Sequence, residues 1–457
     1  MKKYRSIPAF FLLLSLLTAL LAPAWAVGES GGFTVNAASA LLLDADHDEV
    51  LYEQNADEQR FPASITKVMT GLLTVEAIDR GELSLSTQIT LGDDLYTGIG
   101  EGGSTQDLKP GEVLTVRDLL NCALIPSANE ACNALASAVS GSIPAFVDLM
   151  NQRAAELGMT NTHFVNPHGY HDDNHYTTAR DVALMCLEAM KHPDFRAVVS
   201  SVSYTVPATN LHAERVLHDT NALVSNFRVR GFLYEYAIGI KTGSTPEAGY
   251  CLASAAEKNG RTMISVVLGG ENWKDSAGNT VEKNYFSESK NLLEYGFNNF
   301  SRKTILSEID PVGTVPVTLC ADQDYVTVQP ASGLEASLPN DLDPSAFQRE
   351  ISLPEHLEAP IEKGQTLGAI TLSYDGEEYG TVDLVATSSL ERSQLLLVID
   401  RVQNFFGHLW VKLLLLVLVV LILIFAARRL LGGSTRRNRR GGSAPRVYRS
   451  QYRGRRR

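Results

Sequence analysis

Cysteine is scarce in this sequence, and its spacing excludes the sites that cysteines usually build. The 457 residues include five cysteines, and no two of them form a C-x-x-C pair. They are Cys122, Cys132, Cys186, Cys251 and Cys320. An odd number without paired spacing indicates neither a disulfide framework nor a zinc site, and it leaves at least one thiol free or paired between chains.

Acidic residues are missing from the C-terminal segment 428–457, which carries 12 Arg. Directly before it, Leu413–Ala427 contains no charged or polar residue. Adding Leu409–Lys412 brings the apolar stretch to about the 20 residues that a spanning helix needs. We therefore predict a transmembrane helix at 409–427. By the positive-inside rule, 428–457 is then a cytoplasmic tail, and the chain before the helix lies outside.

An Arg-rich tail is also typical of nucleic-acid binding, but a topology signal beside a membrane span already accounts for the charge. Attraction to anionic lipid head groups would follow from the same arginines. The net charge is −12, and without the 12 Arg of the tail and the three cations of the first five residues it becomes −27. We expect no nucleic-acid partner for such an acidic surface.

The N-terminus has the layout of a secretory signal peptide. Its cationic start is followed by the apolar run Phe10–Leu21 and by Ala24-Trp25-Ala26, a small-x-small pattern. We predict a signal peptide at 1–26. A retained membrane anchor is the alternative, but the apolar run is short for a span.

The composition shifts near residue 300. From Thr304 to Arg392 there are 16 Asp or Glu against 3 Lys or Arg, and short apolar runs alternate with Pro, Gly and Asp turns. This pattern predicts a small all-β domain at 304–395. The chain between the signal peptide and the span, about 380 residues, is long enough for two domains with their own cores.

Residues 33–300 predict an α+β domain in which helices flank an antiparallel sheet. Ala38–Leu43 and Glu49–Tyr52 form one expected hairpin, and Tyr250–Ala256 and Thr262–Leu268 form another around an Asn-Gly turn. Apolar residues recur at helical spacing from Ile65 to Leu73, which predicts a helix beginning near Ser64.

The first candidate chemical motif is the S-x-x-K at this helix start. Ser64 and Lys67 are three residues apart, so on a helix their side chains lie on one face and within reach. A serine hydroxyl becomes a nucleophile when a neighbouring base takes its proton, and a lysine with a lowered pKa can be that base. Alone, the pattern is common by chance, and a capping serine with a solvated lysine is then its ordinary interpretation.

Two further short motifs follow. Ser127 and Asn129 sit after Ile125-Pro126 in a predicted break between helices, where an N-cap is the ordinary interpretation. Lys241, Thr242 and Gly243 follow a strand predicted at Ala237–Ile240, where an ordinary strand-end turn is the alternative.

The order S-x-x-K, S-x-N, K-T-G favours the catalytic interpretation over the ordinary structural one. The three motifs together are the set found in penicillin-binding proteins and β-lactamases. The flanks extend the resemblance. They are Phe61–Lys67, Phe164–Tyr170, His175–Ala179, Lys241–Thr245, Ala248–Cys251 and Ala359–Gly364. Over roughly residues 33–390 the chain resembles a low-molecular-weight penicillin-binding protein, a bacterial D-alanyl-D-alanine carboxypeptidase.

The resemblance implies a serine-type carboxypeptidase that removes the terminal D-alanine of peptidoglycan stem pentapeptides and that β-lactams acylate. Ser64 would be the nucleophile, Lys67 its general base and Ser127 the proton relay to the leaving amine.

The resemblance also implies the binding residues. Asn129 would bind a substrate amide, Lys241, Thr242 and Gly243 would form the carboxylate-binding strand, and the backbone N–H of Ser244 would join that of Ser64 in an oxyanion hole.

Two features depart from the family pattern. Many relatives carry an arginine shortly after the position of Gly269-Gly270 that helps to bind the substrate carboxylate, whereas residues 271–276 here contain Lys274 and no Arg. Many relatives also end in an amphipathic interfacial helix, and this chain has an apparent full span instead.

The resemblance implies no cofactor and no metal. One stretch of the sequence has the residue types of a metal site, namely His163, His168, His171, Asp172, Asp173 and His175. The segment that matches it in the family is not a metal site. A β-lactamase would carry an E-x-x-L-N stretch, which is absent. A D,D-endopeptidase would use the same site, and a non-catalytic sensor would have lost a motif residue, which this chain has not.

Overall fold

The computed structural model describes residues 32–270, 273–274, 280–281 and 284–431. The predicted signal peptide and most of the Arg-rich tail therefore lie outside the described residues. By their internal contacts the residues form two compact units. The first runs to Glu308 and includes Ser332–Ile351 and Ile370–Val382, and the second comprises Ile309–Ala331, Ser352–Ala369 and the chain from Asp383.

Helices dominate the chain between β2 and β7, and strands dominate it after residue 300. The described helices are α1 (Lys67–Asp79), α2 (Val116–Leu124), α3 (Asn129–Ser140), α4 (Ile143–Glu156), α5 (Ala179–Lys191), α6 (Pro193–Val199), α7 (Asn284–Asn299), α8 (Gln394–Gly407) and α9 (Leu409–Leu431). The strands are β1 (Ser39–Asp44), β2 (Glu49–Gln54), β3 (Gln88–Thr90), β4 (Val113–Thr115), β5 (Ser203–Val206), β6 (Arg215–His218), β7 (Ala237–Thr245), β8 (Gly249–Lys258), β9 (Arg261–Gly270), β10 (Trp273–Lys274), β11 (Thr280–Val281), β12 (Phe300–Leu306), β13 (Gly313–Thr318), β14 (Tyr325–Pro330), β15 (Leu334–Pro339), β16 (Gln348–Ser352), β17 (Leu357–Glu358), β18 (Thr366–Tyr374) and β19 (Glu377–Ala386). Short 3-10 turns cover Ala63–Thr66, Asp93–Tyr96 and Pro344–Ala346.

A five-stranded antiparallel sheet organises the first unit, with strand order β2-β1-β9-β8-β7. Leu41 packs into a core that includes α1, whereas Leu42 packs into a second core that includes Phe286 and Leu292 of α7. Successive side chains of a strand point to opposite faces, so helices cover both faces of this sheet. The predicted α+β arrangement of helices and an antiparallel sheet is confirmed.

The predicted strands after residue 300 are also present. In the second unit β13 pairs antiparallel with β14, which pairs antiparallel with the end of β19, while β17 pairs parallel with β13. In the first unit β12 pairs antiparallel with β15. Buried and more exposed residues alternate along β13 and β14, which is typical of strands with one face on a core. The predicted all-β character is confirmed, and the boundary at 304 stays a prediction.

One predicted element boundary is confirmed, with a 3-10 first turn, and another was wrong. The helix expected from Ser64 begins as a 3-10 turn, and its α-helical part starts at Lys67. The strand expected to end at Ile240 continues to Thr245, because the backbone of the K-T-G motif pairs with Cys251 to Ala253 of β8. This extension makes the motif part of an edge strand of the sheet.

Candidate active site

Ser64 lies on the tight 3-10 turn that leads into α1. The preceding residue, Ala63, has a positive φ of 47°, which is unusual for a residue with a side chain. The Thr66 hydroxyl donates to the Ala63 carbonyl oxygen at 2.8 Å, and Nε2 of His175 lies 2.8 Å from the same hydroxyl. These contacts hold the turn in its strained conformation.

The tautomer of His175 follows from its partners. The backbone N–H of Val165 donates to Nδ1 at 3.2 Å, so the ring proton sits on Nε2 and is donated to Thr66. Burial lowers the pKa of His175 to about 3, which keeps the ring neutral. His175 is therefore a structural hydrogen-bonding group beneath the Ser64 turn.

Lys67 is the buried cation of the site. Its Nζ lies 2.8 Å from Ser64 Oγ, 2.7 Å from Asn129 Oδ1 and 2.6 Å from the His168 carbonyl oxygen. Burial lowers the pKa of Lys67 to about 8. A lysine with this pKa is neutral in an appreciable fraction of molecules near neutral pH, and it can then accept a proton from Ser64.

Ser127 occupies the break between α2 and α3. It follows Pro126 and has a positive φ of 74°. Its Oγ is buried and has no hydrogen-bond partner among the described residues, although the residue lines the cleft. A buried hydroxyl without a partner is costly, and such groups are typical of sites that bind a ligand. Asn129, the first residue of α3, is fixed by its backbone N–H, which donates to the Ser104 carbonyl at 2.8 Å.

The K-T-G strand forms the opposite wall. Lys241 is buried, and its Nζ donates to the Thr242 carbonyl at 3.0 Å. Burial, with the nearby Lys67 charge, lowers the pKa of Lys241, and burial raises the pKa of the neighbouring Asp219. The Thr242 hydroxyl lies 2.6 Å from the hydroxyl of Thr220. Both residues line the same cleft, so the two hydroxyls form one polar patch on its wall.

Gly243 allows the strand to approach the Ser64 turn. A Cβ at this position would lie 2.9 Å from the Pro62 carbonyl oxygen and 3.1 Å from the backbone nitrogens of Ser64 and Ile65. These separations are too short for a side chain, so glycine brings β7 and the turn into contact. Ser244, the next residue, is exposed and lines the cleft.

The predicted residues converge on one cleft of about 720 Å³. Ser64, Ser127, Asn129, Thr242, Gly243 and Ser244 line it. Lys67 and Lys241 lie beneath this surface, and Lys67 reaches it through its bond to Ser64. The structure therefore brings together all eight residues that the sequence singled out.

Sequence reasoning missed three parts of this site. Arg228, on the loop before β7, is exposed, lines the cleft together with Thr220, and affects the pKa of Lys241 through its charge. The His168 carbonyl is the third acceptor of Lys67. Arg228 and Thr220 belong to no short motif, and His168 lies in the family-like segment Phe164–Tyr170 but contributes a backbone carbonyl, which its residue type does not reveal. The side chain of Lys274, the sequence candidate for carboxylate binding, lies outside the described residues.

The histidine-rich segment supports the site through its backbone. Gly169 has a φ of 77°, and a Cβ there would lie 1.8 Å from the Ala63 carbonyl oxygen. Asn166 Oδ1 accepts from the N–H groups of His168 and Gly169 at 3.2 and 2.7 Å and closes their turn. The family-like segment Phe164–Tyr170 thus contacts both Lys67 and the Ser64 turn.

A different group of described residues lies within ligand distance of a common point: Glu76, Glu188 and His192. Both carboxylates already accept hydrogen bonds from Arg153, at 2.9 and 3.0 Å. The guanidinium neutralises much of the charge that a cation would need.

Comparison with known proteins agrees with the motifs. The D-alanyl-D-alanine carboxypeptidase family model matches residues 26–272, and the model of the penicillin-binding protein 5 C-terminal domain matches residues 300–392. D-alanyl-D-alanine carboxypeptidase DacF of Bacillus subtilis is 31% identical over 365 residues, which are 80% of this chain and 88% of the relative. DacA of Escherichia coli is 30% identical over 82% of this chain and 89% of its own length.

Solved structures show the same likeness. Penicillin-binding protein 5 from Haemophilus influenzae superposes with a TM-score of 0.63 at 26% identity, over 80% of this chain and 100% of that one. Three ordered motifs in one cleft, the family matches and relatives of this identity and coverage lead to one conclusion. The chain belongs to the D-alanyl-D-alanine carboxypeptidase family of serine peptidases.

Proposed function

We propose that the chain removes the terminal D-alanine of peptidoglycan stem pentapeptides through an acyl-enzyme on Ser64. The observation that carries this proposal is the 2.8 Å contact between Lys67 Nζ and Ser64 Oγ within the cleft. Neutral Lys67 takes the hydroxyl proton, and Ser64 Oγ attacks the carbonyl carbon of the penultimate D-alanine.

The oxygen of that carbonyl becomes negatively charged, and the backbone N–H groups of Ser64 and Ser244 stabilise it. Ser127 relays the proton that Lys67 took from Ser64 to the leaving amine, the bond to the last D-alanine breaks, and D-alanine leaves while Lys67 is neutral again. Water then attacks the ester, restores Ser64 and releases the shortened peptide. The unpartnered Ser127 Oγ in the cleft supports this role.

Substrate binding is assigned to the remaining residues. Asn129 binds a backbone amide of the peptide, and Thr242 donates to the terminal carboxylate, with Lys241 beneath it. Arg228 supplies the exposed cation at this end of the cleft. β-Lactams present a strained amide carbonyl to the same serine, so they are expected to acylate Ser64.

We also propose that α9 anchors the chain in the bacterial cell membrane, with the catalytic domain outside and 428–457 in the cytoplasm. Leu409–Leu430 is long and apolar enough to span a bilayer and is almost wholly unburied. The preceding helix α8 carries exposed apolar residues, namely Leu395, Val398, Ile399, Val402, Phe405 and Phe406. An amphipathic helix therefore precedes the span. Membrane fractionation of the full chain and of a chain ending at residue 408 tests the anchor, and unchanged retention of the short chain would contradict it.

Steady-state release of free D-alanine tests the enzymatic proposal. The full chain in detergent is incubated with a pentapeptide ending in D-Ala-D-Ala, alongside Ser64→Ala. We expect release by the parent chain and none by the variant. Release that persists in a folded Ser64→Ala variant would contradict the assignment of the nucleophile.

A further inference from the structure

A second cavity lies next to the catalytic cleft. Its volume is about 670 Å³, and it shares Pro246, Glu247 and Tyr250 with the cleft. Arg60 and Phe61 line this cavity and not the cleft. The two spaces are therefore neighbours that meet at the turn between β7 and β8 and at Tyr250 in β8.

One aromatic pair stands at this junction. The Phe61 ring meets the His171 ring edge to face, with 4.8 Å between the ring centres. His171 lines the cleft and Phe61 lines the side cavity. Glu247 lines both spaces, so a ligand that extends from one into the other can contact its carboxylate.

The side cavity carries charges of both signs. Asp173 and Glu247 supply exposed carboxylates, which lie 3.4 and 4.0 Å from the His171 ring nitrogens. Arg60 supplies the cation. Its backbone is fixed by two hydrogen bonds with Thr177, of 2.7 and 2.9 Å.

Arg60 retains unused hydrogen-bonding capacity. One terminal nitrogen lies 2.6 Å from Glu58, whereas Nε is buried and has no partner among the described residues. A guanidinium has five N–H donors, and a buried donor without a partner costs stability unless a ligand satisfies it. The side cavity is thus lined by one cation with unused donors and by two carboxylates.

The direction of the substrate leads towards this cavity. On the proposed function, the terminal carboxylate lies at Thr242 and the reacting carbonyl near Ser244. Among the described residues β7 is an edge strand of its sheet, so an extended peptide can continue along its outer side. One residue spans roughly 3.3 Å in an extended chain, which brings the third residue of the stem peptide beside Thr245–Glu247.

We propose that this side cavity binds the end of the third residue's side chain and selects an end that carries an ammonium and a carboxylate on one carbon. The carboxylate pairs with Arg60, and the ammonium pairs with Glu247 and Asp173. This inference rests on the proposed function, because it takes its substrate orientation from it.

The test compares two pentapeptides that differ in one group. In both the third residue is meso-diaminopimelate, with the side-chain carboxylate either free or amidated. D-Alanine release by the full chain in detergent gives kcat/KM for each. We expect a preference of about tenfold for the free carboxylate, carried mainly by KM. Arg60→Gln should remove this preference.

Glu58→Gln is the matched control, because it breaks the same ion pair but leaves the guanidinium in place. It should keep the parent preference, as should Arg80→Gln, which alters a remote surface ion pair. Equal rates with both peptides in the parent chain, or a preference that survives Arg60→Gln, would overturn the side-cavity proposal alone. No D-alanine release from either peptide by a folded chain would instead overturn the proposed function and this inference together.

Discussion

At the scale of single residues, the proposed mechanism depends on the buried Lys67, which contacts Ser64. Because a base must be neutral to accept a proton, the acylation rate by penicillin should rise with pH through the Lys67 pKa of about 8. The second-order acylation rate constant measured from pH 6 to 9.5 checks this. A rate constant that is flat or falls over this range would contradict the role of Lys67.

Lys67→Arg is the companion variant, since a guanidinium keeps the charge but does not lose its proton. We expect acylation to slow by about 10²–10⁴-fold, the usual contribution of general-base catalysis. A near-normal rate would contradict the base assignment.

Thr66 gives a second residue-scale prediction. Thr66→Val removes the hydroxyl that joins His175 to the Ala63 carbonyl. Leaving these buried partners unpaired should lower the free energy of unfolding by about 1–3 kcal/mol and should slow acylation of Ser64. Urea unfolding and penicillin acylation measure the two effects.

Thr74→Val is the matched control, because Thr74 is buried in α1, which follows the turn, and its hydroxyl donates to the Thr70 carbonyl at 2.7 Å. It should leave the acylation rate unchanged. Equal slowing in both variants would mean that the Thr66 effect is general loss of helix stability.

The sequence predicted side chains whose chemistry is set by local spacing, and it missed contacts set by the fold. Ser64 and Lys67 are one helical turn apart, so their meeting follows from the S-x-x-K pattern. The His168 carbonyl reaches Lys67 from 101 residues away, and a backbone carbonyl leaves no trace in residue types. Arg228 approaches the cleft only through the path of its loop.

At the scale of elements, the segment Asn166–Gly169 is the support of the Ser64 turn. Gly169→Ala would place a Cβ against the Ala63 carbonyl and add backbone strain at a φ of 77°. We expect a loss of stability of about 1–3 kcal/mol from strain alone, and a further loss of Ser64 acylation from displacement of the turn. Thermal unfolding measures the loss of stability, and penicillin labelling measures the loss of acylation.

Gly158→Ala is the control that distinguishes backbone strain from the steric clash with the Ala63 carbonyl. Gly158 has the same φ of 77°, and a Cβ there would meet no atom within 4 Å. It should lose a similar amount of stability but should label normally. Normal labelling of Gly169→Ala would show that the segment does not hold the turn.

Element boundaries differed from the prediction where tertiary contacts override local signals. The hairpins β1–β2 and β8–β9 follow from alternation and from turn residues such as Asn259 and Gly260, which both have positive φ. The end of β7 was missed because Lys241 and Gly243 do not resemble strand residues. They are strand residues here through pairing with β8 and close packing on the Ser64 turn.

At the scale of the whole molecule, a buried carboxyl makes stability depend on pH. Burial raises the pKa of Glu49 to about 7 from 4.5, although the backbone N–H of Ser337 donates to it at 2.6 Å. At this carboxyl the folded state then binds more protons than the unfolded state between these values, so the contribution of Glu49 to stability should fall as pH rises from about 4.5 to 7. Buried His175, whose pKa is lowered, contributes in the opposite direction.

Glu49→Gln should remove the Glu49 contribution, so the difference in stability between the variant and the parent should grow with pH, and at pH 8 the variant should be more stable by up to about 3 kcal/mol. Urea unfolding at pH 5 and pH 8 measures both chains. A parent chain that gains stability over this interval, with Glu49→Gln behaving identically, would contradict a buried Glu49 of raised pKa.

The proposed mechanism depends on a covalent bond to one serine. The most direct measurement is the intact mass of the full chain after brief exposure to benzylpenicillin, followed by peptide mapping of the adduct. We predict one equivalent of penicilloyl group on the peptide that contains Ser64, and none after Ser64→Ala. An adduct on another residue, or no adduct on a folded chain, would contradict the mechanism.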